Sequence, residues 1–328
     1  MSLRFGVLGA ARITPRALFA PVRAVDGVEV VAIAARDPVR AAPVAAKWHI
    51  PRVHQDYAAV LGDPDVDAVY IPLPNGLHAQ WTLAALAAGK HVLCEKPFTS
   101  NAEQARTVAH AAAAAPELVV MEAFHYRYHP LMTRALDLIR DGTIGEVARV
   151  ETELSFPLPR FSDIRYSYEL AGGALMDAGC YAVHCLRTLG PGEPTVTSAR
   201  ATLHTSTVDR AMTAEVTFDS GATGRVRCSM WSRRLVGVSA RVRGSAGSLS
   251  ILNFVLPQAY HRLTVRSDRG RRRWSERVPG EPTYTCQLRA FAAAVHDGTP
   301  VLTPPADSVA TMTVIDEIYR AAGLPLRQ

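Results

Sequence analysis

"LRFGVLGAARI", Leu3 to Ile13, sets the reading of the whole chain. Arg4 to Leu8 is a short apolar run of the kind buried on both faces of a sheet, and it breaks at Gly9 into a stretch expected to be helical through about Val25. The pattern then repeats. "VEVVAIAAR", Val28 to Arg36, is rich in β-branched residues and leads into a helix ending near Trp48. Apolar runs recur at Asp67 to Pro72, His91 to Glu95 and Leu118 to Ala123, separated by alanine-rich segments, notably His78 to Ala88 and Ala102 to Ala115. Strands alternating with helices predict an α/β fold with a doubly wound parallel sheet, whose ligands bind beyond the carboxyl ends of the strands.

The alternation stops after Ala123. A helix over Leu131 to Asp141 is followed by strand-like runs at Glu146–Phe156, Thr195–His204, Ala211–Phe218, Gly224–Met230, Leu235–Gly244, Ser248–Leu252 and His261–Arg266. Their period-two patterning and glycine-rich turns, such as "DSGATG", predict a large, mostly antiparallel sheet. Helices over Tyr284–His296 and Pro305–Ala322 close the chain. At 328 residues two domains are expected, divided as 1–123 and 124–328.

An apolar fraction of 48% is that of a globular protein. No apolar stretch approaches the roughly 20 residues needed to span a bilayer, and "MSLRFGVLGA" lacks the pattern of a secretory leader. The five cysteines are odd in number and show no metal-ligand spacing, so a cytoplasmic protein is expected. The formal charge of +6 arises from scattered arginines, with one cluster, "DRGRRRW" at Asp268 to Trp274, read as a solvated hairpin tip. No nucleic-acid or membrane partner is predicted, while a mild positive field favours an anionic cofactor. Lysine is scarce: only Lys47, Lys90 and Lys96 occur. Arginine holds its proton near neutrality and lysine can release it, which draws notice to Lys96 in "GKHVLCEKPF", where Glu95 and Lys96 end a strand before Pro97.

The expected strand ends carry further candidates. At the first turn Gly9, Ala10, Ala11, Arg12, Ile13 and Thr14 stand where a dinucleotide fingerprint would read GxGxxG, and only the first glycine is present. The helix N-terminus still suits a pyrophosphate, although a structural turn explains the same residues. Past the second strand, Arg36 and Arg40 suit a ribose 2′-phosphate, with Asp37 as the cap of the following helix. Within the strand end "YIPLPNGLHAQW", Tyr70 to Trp81, Pro72, Leu73, Asn75 and His78 form a rigid turn that could hold a nicotinamide or be a stiffened loop. In "GGALMDAGCYAVHCLRTLG", Asp177, Tyr181 and His184 share a helix face, and Ala178, Ala182, Cys185 and Leu189 form an apolar stripe. A solvated outer face would give the same polar row. A tyrosine could pass the proton that accompanies hydride transfer if a cation stabilised its phenolate, and Lys96 is the candidate cation. His125 and His129 have no third ligand in register, so no metal is predicted.

"AGKHVLCEKP", "VVMEAFHYRYHP", "DIRYSYELAGGALMDAGCY" and "AARDPVRA" together resemble the Gfo/Idh/MocA oxidoreductases, in particular the branch of dimeric dihydrodiol dehydrogenase, glucose-fructose oxidoreductase and sugar ketoreductases. The resemblance spans essentially the whole chain. It implies an NADP-binding Rossmann domain over 1–123 and a substrate-binding and dimerisation α/β domain over 124–328. It makes Lys96, Tyr181 and Asp177 the catalytic set, with tyrosine where inositol-dehydrogenase-like members have histidine. Glu95 would lie near the nicotinamide carboxamide, the bond into Pro97 would be cis, and Arg165 and Glu122 would join the cofactor contacts. Ala11 and Thr14 depart from the fingerprint. The implied activity is NADP(H)-dependent interconversion of a hydroxyl and a carbonyl on a sugar, polyol or cyclic diol, with NADP(H) favoured over NAD(H). Alternatives are a transient-redox lyase or glycosidic-cleavage enzyme that retains its cofactor, and a non-catalytic NADPH sensor. A homodimer or homotetramer through the C-terminal sheet is expected.

Overall fold

Six strands lie in the order β3-β2-β1-β4-β5-β6: β1 (Leu3–Leu8), β2 (Val28–Ala34), β3 (Arg52–His54), β4 (Ala68–Ile71), β5 (His91–Cys94) and β6 (Val120–Glu122). The structure is a computed structural model that describes residues 2–231, 236–268 and 271–328. Every pairing in this sheet is parallel. The strand order reverses between β1 and β4, and that switch point opens a crevice at the carboxyl ends of the strands. Both central strands are almost wholly buried, which is why they read as unbroken apolar runs. The connecting helices are α1 (Ala20–Val22), α2 (Pro38–Trp48), α3 (Tyr57–Leu61), α4 (His78–Ala87) and α5 (Ala102–Ala113).

Two details differ from expectation. The helix after Gly9 does not begin at once: Thr14 N–H donates to the Ala11 carbonyl at 3.2 Å, and a π-helical turn over Pro15–Phe19 precedes α1. Proline has no N–H to give and is tolerated in a first turn, so it marks where the helix can start. The second is the unforeseen pair β3 and α3. β3 is three half-buried or exposed residues, and α3 is capped by Asp56, which accepts from Ala59 N–H at 2.8 Å.

The second sheet has the order β14-β13-β12-β11-β7-β10-β9-β8. Its strands are β7 (Val147–Ser155), β8 (Pro194–Leu203), β9 (Asp209–Phe218), β10 (Thr223–Ser229), β11 (Gly237–Gly244), β12 (Gly247–Leu252), β13 (Arg262–Ser267) and β14 (Arg272–Glu276). β10 runs parallel to β7 and the other pairings are antiparallel. The arginine cluster is a hairpin tip only in part, because Arg272 to Trp274 belong to the edge strand β14. Arg269 and Gly270 of that cluster, and Leu235 at the expected start of a strand, lie outside the described residues. The remaining helices are α6 (Pro130–Arg140), α7 (Cys180–Leu189), α8 (Thr283–Asp297) and α9 (Pro305–Ala321). α7 is tied to its sheet by Thr152, whose hydroxyl donates to the Ala182 carbonyl at 2.8 Å.

The chain forms two compact units. One comprises Met1–Thr99, Glu103–His125 and Tyr284–Val309, and the other Ser100–Ala102, Tyr126–Thr283 and Ala310–Gln328. Late residues thus return to the first unit, where the Phe291 ring packs 5.5 Å from that of Phe5 in β1. Among the described residues no helix is long and apolar enough to cross a membrane.

Candidate active site

In the first unit the candidates gather at the strand ends. Gly9 adopts φ +119°, a region costly for residues with a Cβ, and a Cβ there would lie 3.1 Å from Leu73 Cδ2 across the β1/β4 switch point. Among the described residues the amides of Ala10, Ala11, Arg12 and Ile13 donate to no acceptor, so this turn presents four free N–H groups. At the end of β2, Arg36 and Arg40 are exposed. Asp37 between them caps α2, accepting from Val39 N–H at 3.0 Å. Among the described residues neither guanidinium pairs with a carboxylate.

The ends of β4 and β5 are joined by His78, 1% exposed, whose Nδ1 lies 2.7 Å from the Pro97 carbonyl and Nε2 2.8 Å from the Leu73 carbonyl. Both ring nitrogens face backbone carbonyls, to one of which a neutral ring donates, so what His78 offers a ligand is the shape of two turns. Burial lowers its pKa, with the Lys96 charge acting the same way. Pro72 and Leu73 are buried and Asn75 half-buried beside it. The Lys96–Pro97 bond is cis. Glu95, 7% exposed, accepts from the Tyr70 hydroxyl at 2.7 Å, and Lys96 is half-buried. Glu122 at the end of β6 is 1% exposed and accepts from the Ser308 hydroxyl at 2.6 Å.

Sequence reasoning overlooked a group beside Lys96. The His125 ring lies 4.0 Å from that of Tyr284, and Arg16 reaches over the Tyr284 ring at 6.0 Å. Burial, with the nearby charges of Lys96 and Arg16, lowers the His125 pKa to about 3, so this imidazole is neutral. Burial raises the Tyr284 phenol, helped by the charge of Glu95. The sequence reading weighed His125 of "HYRYH" only as a metal ligand, predicted no metal, and gave it no other role. His129 instead caps α6, its Nδ1 accepting from Leu131 N–H at 3.1 Å.

In the second unit, the helix of Asp177 and Tyr181 opens with a π-helical turn over Leu175–Gly179 and continues as α7. Such turns are frequent at functional sites, and the first unit has one after its Gly9 turn. A solvated outer face is overturned for two members of the polar row: Tyr181 is 5% and His184 1% exposed. Ala178, Ala182, Cys185 and Leu189 are buried as the stripe predicts. Arg165 Nε lies 3.0 Å from Asp177 Oδ2 and its NH1 2.9 Å from Asp163 Oδ1, and the Asp177 charge is the main cause holding this guanidinium's pKa up. Tyr126 was also missed. Its ring centroid lies 6.0 Å from that of Tyr181, and its hydroxyl is 2.5 Å from His184 Nδ1.

A doubly wound sheet with open amides at its first turn, followed by a mostly antiparallel sheet whose packed helix carries a half-buried carboxylate and a buried phenol on one face, defines a Rossmann-fold oxidoreductase. Residues 3–123 match the oxidoreductase family with NAD-binding Rossmann fold, and residues 132–250 match the GFO/IDH/MocA C-terminal domain. The chain belongs to this family and is an oxidoreductase. It is 38% identical to D-xylose 1-dehydrogenase (NADP(+)) 2 of Haloferax volcanii over 98% of this chain and 97% of that protein. Among solved structures it resembles a 3-ketoreductase from Actinomadura kijaniata in complex with NADP and TDP-benzene, with TM-score 0.89, 30% identity and 98% of each chain covered. It also resembles an aldose-aldose oxidoreductase from Caulobacter crescentus complexed with glycerol, with TM-score 0.90, 25% identity and 98% of each chain covered.

Proposed function

We propose that the protein is an NADP(H)-dependent oxidoreductase that interconverts a hydroxyl and a carbonyl on a sugar or related polyol, with Tyr181 as acid/base assisted by Lys96. The observation that carries this reading is the helix face on which a half-buried Asp177, ion-paired to Arg165 at 3.0 Å, lies one helical turn from the buried Tyr181. The names of the relatives, an NADP-dependent xylose dehydrogenase and a ketoreductase bound to NADP, support the cofactor and the substrate class.

The first turn fits a dinucleotide: four unengaged amides suit a pyrophosphate, and Arg36 with Arg40 suit a 2′-phosphate. When bound, the nicotinamide supplies or accepts the hydride. Tyr181 passes the accompanying proton to or from the substrate oxygen, the Lys96 ammonium favours its phenolate form, and Asp177 accepts a hydrogen bond from a neighbouring substrate hydroxyl. Glu95, Glu122 and His78 shape the turns that would receive the nicotinamide. Lys96→Met and Tyr181→Phe are each expected to leave the NADPH Kd nearly unchanged while lowering turnover about 10²- to 10⁴-fold. Near-normal turnover in either variant overturns the assignment.

The division of labour at residues 123 and 124 is proposed with this reading, with the return segment Tyr284–Val309 counted to the nucleotide side. A cytoplasmic location is proposed from five free cysteines, four of them buried. A homodimer, or a homotetramer built from it, is proposed through the eight-stranded sheet. One face of that sheet carries a lattice of Arg149, Glu151, Glu215 and Arg225 whose alternating charges suit a second copy. Sedimentation as a monomer at micromolar concentration would refute that pairing.

A further inference from the structure

Arg327, in the segment that follows α9, is far from the proposed chemistry in sequence and is the largest fully buried side chain among the described residues. Both it and Asp209, its partner at 2.9 Å, have side chains 0% exposed. Three nitrogens of one guanidinium reach three oxygens: Nε donates to the Gly172 carbonyl at 2.6 Å, NH2 to Asp209 Oδ1, and NH1 to the Pro325 carbonyl at 3.1 Å. Its flat faces are covered by Tyr319 at 4.1 Å and Tyr168 at 5.2 Å. Tyr319 also donates its hydroxyl to Asp209 Oδ1 at 3.0 Å, and Tyr168 donates its own to the Leu326 carbonyl at 2.7 Å. Only a planar fork fits this arrangement, and a lysine could not serve all three oxygens.

The oxygens so held lead directly to the proposed catalytic row. Asp209 Oδ2 accepts from Leu175 N–H at 2.7 Å, fixing the first residue of the π-helical turn. Gly173 bonds on both sides: its N–H donates to the Arg165 carbonyl at 2.8 Å, and its carbonyl accepts from Asp177 N–H at 3.0 Å. The backbones of the two residues that form the Arg165–Asp177 ion pair therefore meet at one glycine. That glycine has φ +130°, and a Cβ on it would lie 2.3 Å from Asp209 Oδ1 and 2.9 Å from Arg327 NH2. A buried ion pair is weak support for stability, since desolvation offsets much of its attraction. What this one supplies is a defined place for the turn it grips.

We propose that Arg327 is a positioning residue for the reaction, acting through Asp209 and the Gly172–Gly173 turn to set the place of Asp177, its partner Arg165, and the start of the helix that carries Tyr181. This rests on the chemical roles proposed for Asp177 and Tyr181. The clamp itself, however, has a readout that does not depend on them.

The experiment compares wild type with Arg327→Ala, Arg327→Lys and Tyr319→Phe. It measures kcat and KM for a sugar substrate, the NADPH Kd, the melting temperature, and amide hydrogen exchange of residues 163–178. For Arg327→Ala, kcat per folded molecule is expected to fall about 10- to 100-fold, the scale for misplaced catalytic groups, with the NADPH Kd within about twofold of wild type. Millimolar guanidinium ion is expected to restore kcat several-fold in that variant and not in wild type, an effect a merely structural loss would not show. Arg327→Lys should lose kcat in the same direction, and Tyr319→Phe less, so the inference stays testable if the alanine variant does not fold. Exchange should quicken over residues 163–178 and not across the six-stranded sheet. Unchanged kcat in Arg327→Lys, exchange in the turn no faster than in wild type, or a folded alanine variant that guanidinium does not revive would each overturn the proposal. Should Tyr181→Phe retain full turnover while exchange in the turn quickens as expected, the catalytic assignment falls and the clamp stands.

Discussion

Replacing both Arg36 and Arg40 by alanine is expected to abolish a preference for NADPH while sparing NADH. At the end of β2 an acidic residue would accept hydrogen bonds from a ribose 2′-hydroxyl, but here Asp37 is occupied as the α2 cap, accepting from Val39 N–H at 3.0 Å. On either side of it stand exposed guanidinium groups with no carboxylate partner among the described residues. Solvent screens such charges, so each contact with a 2′-phosphate is worth about 1 kcal/mol. Two together correspond to a rise of about 30-fold in the NADPH Kd. NADH lacks that phosphate, and its Kd should stay within about twofold. Fluorescence titration of both cofactors at low and high salt measures this, and the NADPH advantage of wild type should shrink as salt rises. Equal weakening of both cofactors would mean that the arginines hold some other part of the dinucleotide, and an unchanged NADPH Kd would mean that they hold none of it. Either result refutes the reasoning.

Gly173→Ala should lower stability by roughly 2–5 kcal/mol, combining the strain of φ +130° with a methyl forced against Asp209. A urea midpoint equal to wild type would contradict the close packing of that turn. Acid should destabilise the protein through His125, whose pKa is about 3 when folded against 6.5 for the free side chain. Within that window the unfolded chain binds the proton that the folded one excludes. Stability therefore rises with pH there and is lost as pH falls below 6.5, by at most ~1.4 kcal/mol per pH unit from this group. His125→Gln should flatten that slope in urea titrations at several pH values. A slope identical to wild type would show that His125 is not the group titrating.

The sequence made the first sheet readable because strands buried on both faces leave continuous apolar runs, as in "FGVL", "AVYI" and "HVLC". β3 and β14 failed to announce themselves for a shared reason. Both are polar strands at sheet edges, Arg52–His54 at one and Arg272–Glu276 at the other, and an edge needs no apolar run. Helix spacing was enough to put Asp177 and Tyr181 on one face, but not to say whether water covered it. Burial of Tyr181 depends on neighbours such as Tyr126, which spacing within the helix cannot supply.

Motif reading points to residues whose type the proposed reaction would fix: a lysine to carry a charge, a tyrosine to pass a proton, a glycine where a loop must approach closely. Arg327 lies beyond its reach. Asp209 is 118 residues away, and most of the oxygens the guanidinium serves belong to backbone carbonyls, which every residue carries alike. Nothing in the local pattern around Arg327 distinguishes a clamp from one more exposed arginine in an arginine-rich chain. The same applies to His125, whose partner Tyr284 comes from the return segment near the end of the chain. Groups that react are constrained in kind and leave a mark in sequence. Groups that position them are constrained in place, and place exists only once the chain has folded.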